Sequence, residues 1–144
     1  MMLLQNKKNY LFLIILITGA ILRFYNINYD DFWIDETLTF WISDPSIQSK
    51  ISFSNHRSIE QVPYLFNLIV KIYHSIFFYD SNISRFIPAT ASILSILTVA
   101  YLARQIEKNN SYLFTAFLIS INIYLISYAQ ERRLYSTLFL FTSY

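Results

Sequence analysis

The sequence has no cysteine, one glycine and three prolines, and few of its residues are charged. Without cysteine it can form no disulfide and no thiolate metal site. A single glycine excludes the Gly-rich loops that cradle nucleotide phosphates. Charged residues make up 14% of the 144 residues, where a soluble domain carries about 25%. Hydrophobic residues make up 55% and the mean hydropathy is +0.38, so a chain this short cannot hide its apolar side chains in one globular core. A membrane protein is the first expectation. The net charge is +2 with no basic cluster, which gives no basis for nucleic-acid binding. No internal repeat is visible.

Apolar segments cover residues 10–25, 63–79, 86–104 and 111–129, and another begins at 134–144. Each of the first four is near the roughly 20 residues that a helix needs to cross a bilayer. Lys7 and Lys8 precede the first segment as in a signal peptide, but Arg23, Phe24, Tyr25 and Asn26 stand at its end where a cleavage site would have small residues. It is therefore expected to be an uncleaved span with an aromatic, basic outer edge. Segment 63–79 differs from the rest. Its polar residues Asn67, Lys71, His74 and Ser75 fall on one helical face. That pattern suits an amphipathic helix lying in the membrane interface with its lysine in water; the alternative is a span whose polar stripe meets other helices.

Lys7 and Lys8 place the N-terminus in the cytoplasm. If 63–79 lies flat, the loop 26–85 is outside, 86–104 runs inward and 111–129 runs outward. Both acidic motifs then face the same side, as a single site requires. The expected fold class is all-α: a multi-pass protein of the inner membrane, with juxtamembrane helices near 36–43 and 63–79.

Three polar stretches can carry chemistry. In "DDFWIDETLTFWISDP" (residues 30–45), Asp35 can act as a general base beside lipid and Glu36 can support it. From spacing alone, capping is favoured over catalysis: Asp35 is the N-cap of a short helix over Glu36–Ser43, with Glu36 in its first turn and Leu38, Trp41 and Ile42 on its apolar face. Asp44-Pro45 resembles a second N-cap with Pro at the first helical position. In "HRSIEQVPY" (residues 56–64), His56 and Glu60 are four apart and on a helix can share a metal. Two ligands are fewer than a specific site uses, and a polar loop leading into Pro63 explains the stretch as well. In "SYAQERRLYS" (residues 127–136), an acid and two arginines interrupt a hydrophobic run. Arg132 and Arg133 match phosphate oxygens bidentately, while Glu131 is a second acid or an arginine partner; a solvated turn is the alternative. Arg85, ahead of the third segment, anchors it at the headgroups or reaches an anion.

In this order the motifs resemble the N-terminal part of the GT-C membrane glycosyltransferases, in particular the dolichyl-phosphate-mannose protein mannosyltransferase and lipid A aminoarabinose transferase group. The correspondence rests on Trp33-Ile34-Asp35-Glu36, on "EQVPYLFNLIVKIYH", on Arg85 with "FIPA", and on "YAQERRLY". The resemblance implies inverting transfer of a sugar from a polyprenyl-phosphate donor to a lipid, glycan or protein acceptor on the outer face. Asp35 corresponds to the outer-loop acid and is the candidate base, with Glu36 and Glu131 beside it. Arg57, Arg85, Arg132, Arg133 and Tyr135 are the candidate donor-binding residues. Glu60 matches a metal-associated glutamate of the aminoarabinose branch, which with His56 implies a divalent metal ion, although Gln61 and Val62 depart from that pattern. The family has more spans than this sequence, so the chain is expected to be truncated and inactive alone. A non-catalytic membrane fragment, from a transporter or an assembly partner, is the competing expectation.

Overall fold

The structure, a computed structural model, describes residues 2–29, 31, 33–48, 51, 54, 64–106, 111–131 and 133–143, with side chains 2–6 and 82 excepted. His56, Arg57, Glu60 and Arg132 lie outside the described residues. Among those described, the regular elements are helices: α1 (Met2–Phe24), α2 (Ile34–Ile42), α3 (Leu65–Ile76), the single turn α4 (Ser81–Ser84), α5 (Phe86–Ile106), α6 (Ser111–Ile121), α7 (Ile123–Gln130) and α8 (Tyr135–Thr142). The all-α expectation holds.

With 21 residues, α5 is long and apolar enough to cross a membrane; at 1.5 Å per residue it is about 32 Å long, against a hydrocarbon core of about 30 Å. Its buried face includes the small residues Ala89, Ala91, Ser92, Ser95 and Ala100, which let neighbouring backbones come close. The chain's one glycine sits at such an approach. A Cβ on Gly19 of α1 would lie 2.8 Å from Ile96 Cδ1 and 3.0 Å from Ser120 Cβ.

The packing order fixes the helix directions. Phe12 meets Tyr112, Ile15 packs with Ala116, and Gly19 approaches Ser120; positions rise together, so α1 and α6 run parallel. Against α5 the order reverses, with Ile15 near Ala100, Arg23 bonded to Ser92 and Phe24 edge-on to Phe86. The C-terminus of α1, the N-terminus of α5 and the end of α7 therefore share one end of the bundle.

Segment 111–129 is not one continuous helix. It breaks at Asn122, and α6 and α7 meet at 54°. Asn122 takes an extended conformation and its side chain accepts the Leu125 N–H at 3.1 Å, so this polar residue starts a new helix by capping it. The break leaves the carbonyls of Ile119 and Ser120 without the N–H groups four residues ahead, which now open α7. Arg23 fills the gap. It was expected at the outer edge of the first span; instead it is fully buried, with Nη2 donating to Ile119 O, Nη1 to Ser120 O and Gly19 O, and Nε to Ser92 Oγ.

At 12 residues, α3 is about 18 Å long and too short to cross. Three of the four expected stripe residues face inward: Asn67, Lys71 and His74 are buried, while Ser75 is exposed along with Leu65, Ile72 and Ile76 and the following Phe77 and Phe78. Lys71 is therefore not in water. It donates to Ile47 O, and burial pushes its pKa down against the opposing pull of Asp44. The His74 ring packs edge-on against Phe40 and Tyr79, which stack on each other at 4.2 Å, tying α3 to α2. Asp44 does not cap a helix. Its carboxylate accepts from the Ser46 N–H and hydroxyl at 2.8 and 2.7 Å, which makes a turn over Pro45 and Ser46.

Candidate functional site

The site grows out of helix ends. α1 closes on Asn26 at φ 52°, the left-handed conformation that Asn tolerates at a C-terminus. Gln130 of α7 donates to Leu22 O at 3.3 Å and to Tyr25 O at 2.9 Å. These are free carbonyls of α1's last turn, so the "AQER" stretch is docked on the first helix.

α2 begins two residues earlier than expected. Its N-cap is Trp33, not Asp35, which lies in the first turn. The reason is Glu36, whose Oε2 accepts the Trp33 N–H at 3.2 Å, the reciprocal half of a capping box. The buried face of α2 is Glu36, Thr39 and Ile42, while Trp41 is exposed; the expected Leu38–Trp41–Ile42 face is thus rotated. The rotation follows from Arg85. Its Nε donates to Glu36 Oε1 at 3.0 Å and its Nη2 to Oε2 at 2.8 Å. This is a two-pronged pair with the side chains only 4% and 1% exposed. Arg85 also donates to Ile27 O at 3.0 Å and to Asp31 O at 3.4 Å. Expected to anchor the helix at the headgroups or to reach an anionic ligand, Arg85 is buried and ties α2, Ile27 and Asp31 to the start of α5.

Asp35 points the other way. Its carboxylate is half-exposed and lies 2.8 Å from Arg133 Nη2. The Arg133 guanidinium covers the Tyr135 ring at 5.2 Å, and that ring packs on Tyr128 at 4.9 Å. Glu131 caps the end of α7 and its carbonyl accepts the Arg133 N–H at 2.9 Å. Burial raises its carboxyl pKa above the usual range. The Glu36 carboxylate acts in the same direction, while Arg133 and Arg85 oppose. An apolar groove of about 270 Å³ opens beside this cluster, lined by Ser92, Leu125, Tyr128, Tyr135, Ser136 and Phe139 among others.

Asp35, Glu36, Arg85, Glu131, Arg133 and Tyr135, drawn from three separate stretches, therefore share one neighbourhood. Among the described residues no group of three His, Cys, Asp or Glu side chains is disposed to hold a metal, and the expected ligands His56 and Glu60 are outside them. Sequence reasoning missed Gln130 as a cap and Arg23 as a buried donor. No clear signal marked the second, because an arginine two residues from the end of an apolar segment looks like an interfacial anchor.

Glu131 makes the stability pH-dependent. A carboxyl whose folded pKa is raised contributes stability that is present below its unfolded pKa and lost as pH rises through the folded one. Glu131→Gln mimics the protonated form. In detergent melts, the wild type is expected to fall behind the variant as pH climbs from the ordinary carboxylate range towards neutrality. Parallel pH curves for the two proteins would contradict this environment for Glu131.

No family model matches the chain, and neither a curated protein nor a solved structure matches it.

Proposed function

We propose that this chain supplies the N-terminal helices of an inverting membrane glycosyltransferase of the GT-C type, which moves a sugar from a polyprenyl-phosphate donor to an acceptor outside the cell. The observation that carries the reading is the meeting of Asp35 with Arg133, and of Glu36 with Arg85, next to Glu131. A capped surface helix and a solvated turn do not require these motifs to converge. In this reading α1, α5 and the broken α6–α7 pair cross the inner membrane, with the N-terminus in the cytoplasm. α3 lies in the interface. Its inward polar face and outward Leu65, Ile72, Ile76 and Phe78 suit lipid.

The chemistry follows from the charges. The exposed Asp35 carboxylate takes the proton of the acceptor hydroxyl as that oxygen attacks the anomeric carbon. The bond from that carbon to the phosphate oxygen breaks, and its electron pair leaves on the polyprenyl phosphate. Arg133 binds the phosphate of the donor in the ground state, and Tyr135 orients the guanidinium. The apolar groove between α5, α7 and α8 suits the lipid tail. Glu36 and Arg85 hold α2 in place. The lipid donor is the testable element. Membranes carrying the complete reading frame should transfer labelled sugar from a polyprenyl-phosphate donor, and a nucleotide sugar alone should not replace it. Absence of transfer from any polyprenyl-phosphate sugar would remove the reading.

A non-catalytic membrane protein is the second reading, favoured by the mutual pairing of the charges. It predicts that loss of Asp35 changes assembly and no transfer reaction.

A further inference from the structure

We infer that Arg23 is a positioning residue for the distant charged cluster: by closing the broken end of α6 it sets the bend that aims Glu131 and Arg133 at α2. Arg23 is on α1 and touches none of the cluster residues. Its four hydrogen bonds run to three helices: Gly19 O of α1, Ile119 O and Ser120 O of α6, and Ser92 Oγ of α5. Ser92 Oγ in turn donates to Leu125 O at 3.4 Å, which reaches α7 beyond the break. The guanidinium thus grips the segment on one side of Asn122 directly and on the other through Ser92.

The geometry makes this more than a buried cap. A continuous helix through Asn122 would bond Ile119 O and Ser120 O to the N–H groups of Ile123 and Tyr124. Those carbonyls bend away only because another donor takes them, and an apolar interior supplies no water to do so. Gly19 suits the arrangement, since a Cβ there would crowd Ile96 Cδ1 and Ser120 Cβ and make one of them give way. Two residues therefore stabilise the bend from opposite sides: Asn122 starts α7 and Arg23 ends α6. α7 then carries Gln130 to the end of α1 and Glu131 to the cluster. The inference concerns geometry and does not depend on the transferase reading.

The absence of cysteine makes the test direct. Two cysteine pairs are introduced into the full chain in detergent, each bridged with a short bifunctional thiol reagent and read by mass spectrometry of the linked peptides. One pair replaces Asp35 and Arg133, across the cluster. The other replaces Ile15 and Ala116, which pack together before the break. Arg23→Met keeps the side-chain length and removes every donor. The 35–133 link should be lost while the 15–116 link persists. Retention of both links would overturn the inference. If Arg23→Met loses both, Asn122→Ala decides, because it removes the α7 cap and leaves Arg23 in place. Loss of the 35–133 link alone in that variant supports the inference. Retention of both links there, or loss of both in each variant, overturns it in favour of a general folding role.

Discussion

Arg85→Met should lower the free energy of unfolding by about 3–5 kcal/mol, the cost of breaking a buried ion pair by removing one side of it. Glu36 has no route to water. Its side chain is 1% exposed and both oxygens are engaged by Arg85. Loss of the guanidinium takes two charge-assisted hydrogen bonds from a buried carboxylate, which disfavours the folded state. Glu36→Ala harms for the converse reason and also removes the acceptor of the Trp33 N–H. The double variant Glu36→Gln/Arg85→Met should recover a large part of the loss, because both charges of the buried pair are removed together and Gln keeps an acceptor for Trp33. Recovery should be incomplete, since Arg85 also holds Ile27 O and Asp31 O. Unfolding in mixed micelles, followed by circular dichroism for the two single variants and the double, measures the coupling. Additive losses would mean that the pair does not act as a unit.

This pair also marks how far the sequence can be read. Glu36 beside Asp35 is visible as a motif, and Glu in a first helical turn is favourable in any case. Its partner is 49 residues away, and nothing in local spacing says which way Arg85 points. The α3 stripe is a similar case. Period 3.6 groups Asn67, Lys71 and His74 on one face and misses only that Ser75 falls outside it, but whether a polar face meets water or protein depends on what covers it. Here the covering is the turn after Asp44, which offers Ile47 O to Lys71. Asn122 was the least legible feature. One amide in an apolar run looks tolerable in a span, and its role as a cap emerges only once Arg23 is seen to take the carbonyls behind it. By contrast, the all-α class and the place of the long apolar α5 could be read from composition and length, because an unbroken apolar run of about 20 residues is far longer than a strand.

Asp35→Asn separates the proposed chemistry from its scaffold. Asp35 and Glu36 are adjacent in sequence yet live in opposite environments: one half-exposed and paired with a half-exposed arginine, the other sealed. Exposed ion pairs contribute about 0–1 kcal/mol, so Asp35→Asn should leave the unfolding transition almost where it was. Transfer from a polyprenyl-phosphate sugar should nevertheless fall about 10²–10⁴-fold, the range for a lost general base. The loss should appear in kcat. KM should hold or drop, since Arg133 no longer shares its Nη2 with a carboxylate and is freer to meet the donor phosphate. Arg133→Gln should show the opposite split, with a raised KM and a smaller change in kcat. The two variants therefore distinguish a base from a phosphate ligand even though they break the same 2.8 Å contact. Equal effects on KM and kcat in both would mean that the contact merely holds α2 against the end of α7. Undiminished turnover by Asp35→Asn would take the base assignment away from this residue and leave Glu131, with its raised pKa, as the carboxyl to test next.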